Sequence, residues 1–211
     1  MNPPGAALIQ AWFSPGWPTG AFAWSQGLER AVEDGDVVDV STLREWITDV
    51  MSQGTGRSEA ILLISAWRHP EDPGVAELAA ALQPSAERAA ETREQGAAFA
   101  RVTSAAFGVD IAPAPLPVAV GRASRAHGLP ARDAAARWLQ GIAANLVSVG
   151  IRIIPIGETE AARLLASLIP LCEAVASAAE AADPEDLGGA CFGADLASML
   201  HELQRTRLFR S

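Results

Sequence analysis

The side chains of this chain that could bind a metal are few, and their spacing forms no recognised site. They are His69, His127, His201, Cys172 and Cys191. A metal site on one helix needs a second ligand three or four residues from the first, and no pair of these residues has that spacing. We therefore predict no tightly bound metal or cofactor. His201 and Cys191 are the best candidates for a metal shared across an interface.

Covalent chemistry is restricted as well, because the chain contains no lysine and no tyrosine. A P-loop lysine, a Schiff-base lysine and a tyrosine acid are thereby excluded. The Gly-x-Ser-x-Gly elbow of many serine hydrolases is also absent. A small helical hydrolase that uses acidic residues stays open as an alternative. It would require a deep polar pocket that holds a carboxylate with a raised pKa.

The C-terminal segment, residues 195–211, has the most unusual composition. An apolar helical face is followed by an aliphatic–aromatic pair between arginines; these residues are Leu196, Met199, Leu200, Leu203, Arg205, Arg207, Leu208, Phe209 and Arg210. Leu208 and Phe209 could fold back onto the core of the chain, since apolar residues are usually buried. Alternatively, the segment docks on another chain, with Phe209 as the anchor and the arginines as bidentate donors.

The sequence pattern predicts that helices position the residues discussed above. Stripes of apolar residues at the 3.6-residue period, separated by Pro and Gly turns, predict an all-α single domain over residues 1–211, a bundle of about nine to eleven helices. Thr42 and Glu45 have the spacing of a capping box, and Asp195 has the character of an N-cap. Residues 131–149 predict the central core helix, with Gly150 as its C-terminal cap.

Charge and hydropathy limit the partners and the location. The net charge of −9 disfavours nucleic-acid binding. The apolar runs 142–156 and 164–179 carry charges and are interrupted by Pro155 and Pro170, so we predict no membrane span. Residues 1–5 lack the pattern of a secretory signal, and we expect a cytoplasmic protein. An acidic helical interaction module whose arginine-rich tail binds an anionic partner is a further alternative.

Four stretches of the chain together resemble one protein family. The ending Asp-Leu-Ala-Ser-Met-x-His-Glu-x-Gln-x-x-Arg-Leu-Phe-Arg-Ser is similar to the C-terminus of the urease accessory protein UreF family. Residues 18–29, which include Phe22-x-Trp24-Ser25-Gln26-Gly27-Leu28-Glu29, resemble the N-terminal motif of that family. Residues 94–100 and 150–157 match more weakly. Trp24 and Thr206 stand where many relatives have His and Tyr, and the missing histidine argues against a metal role for the N-terminal loop.

The resemblance implies a urease maturation factor that is not an enzyme. Such proteins are all-helical homodimers that bind UreD, also called UreH, and recruit and regulate the GTPase UreG at the urease apoprotein. Nickel is handled transiently by the assembled complex, which acts as a nickel-insertion chaperone. The resemblance thus implies a scaffold within a protein complex, with no cofactor of its own.

The resemblance also implies a set of partner-binding residues. Glu29 and Arg152 match positions on the GTPase-facing surface of the family, so Glu29→Ala is expected to leave folding intact and to lower urease activation. The C-terminal segment matches the UreD contact and is expected to be an interaction arm. Its candidate residues are His201, Arg205, Arg207, Leu208, Phe209, Arg210 and Ser211.

Overall fold

The computed structural model describes residues 5–14 and 16–211, and these form an all-α structure as predicted. Within these ranges the chain has ten α-helices, a number inside the expected nine to eleven, and two short 3₁₀ turns, Ala21–Ala23 and Pro184–Asp186. The helices are α1 (Gly5–Trp12), α2 (Leu28–Glu33), α3 (Val40–Ser52), α4 (Thr55–Arg68), α5 (Pro73–Ala81), α6 (Ala86–Phe107), α7 (Leu116–Ala126), α8 (Ala131–Ile153), α9 (Glu158–Glu180) and α10 (Phe192–His201).

Side-chain caps fix several of the helix starts, although one of them differs from the prediction. α3 begins one turn earlier than the Thr42–Glu45 box would place it, because Asp39 is the N-cap and accepts from the N–H of Thr42 at 2.9 Å. The Thr42 hydroxyl in turn accepts from the N–H of Asp39 at 3.1 Å, so the reciprocal pair is Asp39 and Thr42. Ser85 caps α6 in the same way through the N–H of Arg88.

Two helices share the centre of the bundle: α8, as the sequence predicted, and α4. The predicted stripe of α8 is buried throughout, and the helix packs on α1, α2, α3, α4, α7 and α9. Residues 60–66 of α4 are all buried, and this helix packs on α3, α7, α8 and α9. A helix that is buried on every side belongs in the middle of a core. α7 approaches α4 closely, because a Cβ on Gly121 would lie 2.2 Å from the carbonyl oxygen of Leu63.

Two predicted helix boundaries are wrong. α8 does not stop at Gly150 but continues to Ile153, and a Cβ on Gly150 would lie 2.6 Å from Cδ2 of Leu43. This glycine therefore permits close helix packing. Asp195 is not an N-cap, since α10 starts at Phe192 and the N–H of Asp195 already bonds to the oxygen of Cys191 at 2.8 Å.

Among the described residues, the segment Glu158–Ala181, which contains α9, is the one helix with the length and apolar character to cross a membrane. Of its most apolar 18 residues, 28 % are buried in the structure. The core helix of a soluble protein meets the same criteria of length and composition. α9 packs along α8 and also contacts α3 and α4, with Leu164, Leu168 and Cys172 turned inward. Pro170 lies within the helix, where it removes one main-chain hydrogen bond.

Residues 16–25, which precede α2 and include Trp17, Phe22 and Trp24, form a loop that we call the aromatic loop. Trp24 is buried at 3 % exposure, whereas Phe22 is 70 % exposed. Trp17 is half-buried and stacks on Phe107 with 6.0 Å between ring centroids. The loop therefore plugs one end of the bundle and also presents an aromatic ring to solvent.

Candidate functional site

α10 packs with its small and polar face inward, so its large apolar side chains face solvent. Ala194, Ala197, Ser198 and His201 are the buried residues of the helix. The exposed apolar side chains are Phe192 at 83 %, Leu196 at 56 % and Met199 at 48 %, followed by Leu203 at 78 % just beyond the helix. We call these four residues the apolar stripe. The apolar face seen in the sequence therefore exists, but it does not pack on the core of this chain.

Close backbone contact explains why the small face is turned inward. α10 lies against α2, and a Cβ on Gly27 would be 2.7 Å from the main-chain nitrogen of Ser198. Gly27 also has a φ of 83°, which L-residues with a side chain rarely adopt. The Ser198 hydroxyl bonds to the Ser85 hydroxyl at 2.7 Å. Only small side chains on α10 allow this separation, and the leucines must point outward.

His201, at the end of α10, is completely buried between two carboxylates. Its Nε2 lies 3.1 Å from Oε2 of Glu29, and its Nδ1 lies 2.7 Å from Oε2 of Glu87. Both ring nitrogens of His201 therefore face a carboxylate oxygen, and the imidazole joins Glu29 of α2 to Glu87 of α6. Arg207 binds the other oxygen of Glu87.

Glu29 also holds the backbone of the residues that follow. Its carboxylate accepts from the N–H of Leu208 at 2.7 Å and from the N–H of Phe209 at 3.1 Å. The Glu29 residue is 8 % exposed, and Phe209 is 4 % exposed and belongs to the main apolar core. For Phe209 the structure thus gives the first of the two alternatives, burial within its own chain.

The last two residues are bonded to the loop before α2. The N–H of Arg210 donates to the oxygen of Ala23 at 2.9 Å, and the main-chain oxygen of Ser211 accepts from the N–H of Ser25 at 2.7 Å. The N–H of Gln26 donates to the Ser211 hydroxyl at 3.2 Å. Ser211 is buried, so the C-terminal segment ends inside a hydrogen-bonded site and not in solvent.

Two arginines cover this docked segment from outside. The guanidinium of Arg152 lies 4.2 Å from the centroid of Phe209 and donates to the oxygen of Phe22 at 3.1 Å. Arg210 stacks on Trp24 at 4.2 Å and pairs with Glu94 at 2.8 Å. Each arginine is exposed on its outer face. Together with Phe22 they form a mixed cationic and aromatic surface.

The structure brings most of the predicted site residues together, but in two different roles. Glu29, His201, Phe209 and Ser211 are buried and bind one another or the neighbouring loop. The exposed members are Arg152, Arg205, Arg207, Leu208 and Arg210. Sequence reasoning missed Glu87, which binds both His201 and Arg207 and has no distinctive sequence signal. It also missed Glu94, although that residue opens a stretch that carried the resemblance.

The geometry offers little to a metal ion within one chain. Among residues 5–14 and 16–211, no group of three or more His, Cys, Asp or Glu side chains could hold one. Both ring nitrogens of His201 are already bonded. Burial raises the pKa of the Cys191 thiol and raises that of Cys172 to about 11, which disfavours the thiolate that a metal would need.

Comparison with known proteins gives one consistent result. The sequence model of the UreF family matches residues 37–169. The urease accessory protein UreF of Cereibacter sphaeroides (strain KD131) is 48 % identical over 205 residues, which cover 97 % of this chain and 97 % of that protein. The UreF proteins of Ruegeria pomeroyi and Roseobacter denitrificans are 43 % and 42 % identical, over 96 % of this chain and 95 % and 92 % of their own lengths. The chain belongs to the UreF family of urease accessory proteins.

Proposed function

We propose that this protein, whose family has a role in urease maturation, is the scaffold that binds UreD (UreH) and recruits and regulates the UreG GTPase while the urease nickel centre is assembled. It acts without catalysis of its own, as a cytoplasmic homodimer that contacts the urease apoprotein. Nickel passes through the assembled complex and is not stored in this chain. The observation that carries the proposal is the apolar stripe on α10.

The stripe supports a protein partner at the position where the resemblance puts UreD. Phe192, Leu196 and Met199 of α10, and Leu203 just beyond it, are about half exposed or more and follow the spacing of one helical face. Contiguous exposed apolar surface of this kind is typical of protein–protein contacts. Leu208, 67 % exposed, adds a further apolar side chain from the same segment. Helix-in-groove recognition uses side chains at this i, i+4, i+7 spacing.

The cationic and aromatic surface supports a second contact, to UreG. Arg152 and Arg210 present guanidinium groups beside the exposed ring of Phe22, and arginine and aromatic residues are enriched at interface centres. Glu29 contributes to this surface indirectly, because its carboxylate holds the residues on which Arg152 lies. On this proposal Glu29 positions the contact and Arg152 makes it.

One observation favours the hydrolase alternative. Burial raises the pKa of Glu59 to about 7, and this residue lines a cavity. A raised carboxylate pKa in a pocket is a sign of acid–base catalysis. However, Glu59 and Glu91 both bind the guanidinium of Arg88, so each carboxylate is already engaged in an ion pair. The arrangement is more typical of a binding site than of a hydrolytic centre.

The proposal is tested by pull-down of UreD with the variant Leu196→Ser/Leu203→Ser. Both side chains are exposed, so each substitution should change the free energy of unfolding by no more than about 0.5 kcal/mol, and the melting temperature should stay close to that of the wild type. The capture of UreD should be lost. The control Val38→Ser replaces a side chain that is 51 % exposed far from α10 in sequence, and it should bind UreD normally. Retained capture by the double variant would disprove the assignment of the stripe.

A further inference from the structure

A cavity of about 320 Å³ lies between the aromatic loop before α2 and the helices α4, α6 and α8. None of the four residues of the apolar stripe lines it, although Phe22 and Gln26, whose main-chain contacts are described above, do. Its lining has two distinct parts, one polar and one aromatic. The polar part includes Gln26, Glu59, Arg88 and Glu91. A cavity of this size accommodates a small organic molecule, since ligand pockets range upward from roughly 300 Å³.

The polar wall contains two carboxylates for one cation. Arg88 donates through its two terminal nitrogens to Glu59, at 3.0 Å, and to Glu91. All three residues are only 3 % exposed, and they are the charged residues among the described ones that line the cavity. With both carboxylates ionised this group carries one uncompensated negative charge. A buried charge without a partner is costly, so the site is complementary to one further cation.

Several polar atoms around the cavity have no partner within the chain. The Nε of Arg88, the indole Nε1 of Trp12 and the Oε1 of Gln26 are buried and unbonded. Such groups are rare in folded proteins because each costs about 1–3 kcal/mol. Gln26 also has a φ of 58° and is the one described non-glycine residue with a positive φ. Backbone strain of this kind collects at functional sites, and here it places the Gln26 amide on Glu91 at 3.3 Å.

The opposite wall is aromatic. Trp12 and Phe99 meet edge to face with 5.4 Å between centroids, and Phe13 and Trp138 pack in the same manner at 5.8 Å. All four line the cavity, as does Trp17. The faces of aromatic rings attract a cation, and both their faces and their edges pack favourably on another aromatic group. The cavity therefore combines an anionic end with walls that favour a flat apolar group.

We propose that this cavity binds a small organic monocation, an amine or amidine attached to an aromatic or apolar body. The cationic group binds between Glu59 and the Gln26 amide, and the apolar body lies against Trp12, Phe13 and Trp138. The residues that would bind this ligand differ from the residues proposed to contact UreD and UreG, although Phe22 belongs to both the cavity wall and the proposed UreG surface.

The test is isothermal titration calorimetry of the full chain with benzamidine, compared with its neutral isostere benzamide. Benzamidine should bind at one site about 10- to 100-fold more tightly than benzamide, the range expected for a hydrogen bond to a charged group. Its affinity should rise as the pH is raised through 7, because the raised pKa of Glu59 leaves this carboxyl largely protonated below that pH. Binding near pH 6.5 should therefore release a proton, which titrations in two buffers of different ionisation enthalpy detect.

Three comparisons make the result decisive. Glu59→Gln should remove the preference for benzamidine, and Glu77→Gln, which changes an exposed carboxylate of α5, should keep it. If Glu59→Gln does not fold, Ala144→Leu adds volume at the cavity wall and should abolish binding. Equal binding of benzamidine and benzamide, no saturable heat at millimolar concentration, or displacement of benzamidine by stoichiometric Ni²⁺ would each overturn the proposal.

Discussion

The carboxylate of Glu29 holds the C-terminal segment on α2, and its replacement by glutamine isolates the contribution of its charge. Glutamine has the same shape and retains one oxygen acceptor. The wild-type carboxylate accepts from Nε2 of His201 at 3.1 Å and from the N–H groups of Leu208 and Phe209 at 2.7 and 3.1 Å. In Glu29→Gln the NH₂ group replaces one acceptor, and at least one of these buried donors loses its partner.

The expected loss of stability is large for a single isosteric change. Hydrogen bonds to a charged group contribute about 1.5–3 kcal/mol each. Glutamine removes the charge from the acceptor, and the buried donor that is left without a partner costs a further ~1–3 kcal/mol. We therefore expect Glu29→Gln to lower the free energy of unfolding by about 3–5 kcal/mol. For a chain of this length that corresponds to a fall of roughly 6–20 °C in melting temperature, at about 2–4 °C per kcal/mol.

The assay is thermal unfolding followed by circular dichroism, with Glu94→Gln as the matched control. Glu94 also pairs with an arginine of the segment, but its side chain is 45 % exposed, so its loss should cost no more than about 1 kcal/mol. If Glu29→Gln melts within 2–3 °C of the wild type, at about 1 kcal/mol or less, the carboxylate does not hold the segment. This expectation replaces the one drawn from sequence, in which a substitution at Glu29 leaves folding intact.

Four further predictions concern stability and reactivity. Removal of residues 205–211 should lower the melting temperature by several degrees or more, because burial of Phe209 alone stabilises by about 1.5–3 kcal/mol; an unchanged melting curve would show a free arm. Gly27→Ala should also be strongly destabilising, since φ is 83° and the Cβ would lie 2.7 Å from the backbone of Ser198, and a stable variant would contradict the close packing of α10. Cys172, with its pKa raised to about 11 by burial, should react with a disulfide reagent at pH 8 only after unfolding in urea, whereas fast reaction of two thiols in the native protein would exclude its burial. Since burial raises the pKa of Glu59 from 4.5 to about 7, the wild type should lose stability relative to Glu59→Gln as the pH rises between these values, by about 3 kcal/mol in total; parallel pH profiles would refute the shift.

The helices were predictable because their signals are local. Period-3.6 stripes and Pro or Gly breaks identify an all-α bundle, and the buried stripe of α8 follows directly from its spacing. The order of burial was not predictable, because it depends on which helices surround which. The apolar run of residues 60–64 is typical of a buried helix, but it does not identify α7, α8 and α9 as the helices that pack on α4.

The site was predicted as a group of residues but not as a geometry. The sequence places Glu29 and His201 far apart, and only the fold brings the carboxylate against the imidazole. The apolar pattern of α10 indicated a helix but not which face is buried. Gly27 determines which face of α10 is buried, because its lack of a Cβ allows the small face of α10 to pack closely on α2. A steric requirement of one neighbour therefore overrides the ordinary preference for burying leucine.

In the C-terminal segment and α10, the side chains that stabilise the fold differ from the side chains that are available to a partner. Release of Phe209 and of the bonds to Glu29 would cost several kcal/mol, which a partner would have to supply before gaining any contact. Binding to Leu196, Met199 and Leu203 carries no such cost, because these side chains are exposed while the segment stays docked. A preformed helix also avoids the loss of conformational entropy that an unfolded arm incurs on binding. The two alternatives for the C-terminal segment are therefore compatible. One set of side chains holds the segment on its own chain, and a different, exposed set remains available to a partner protein.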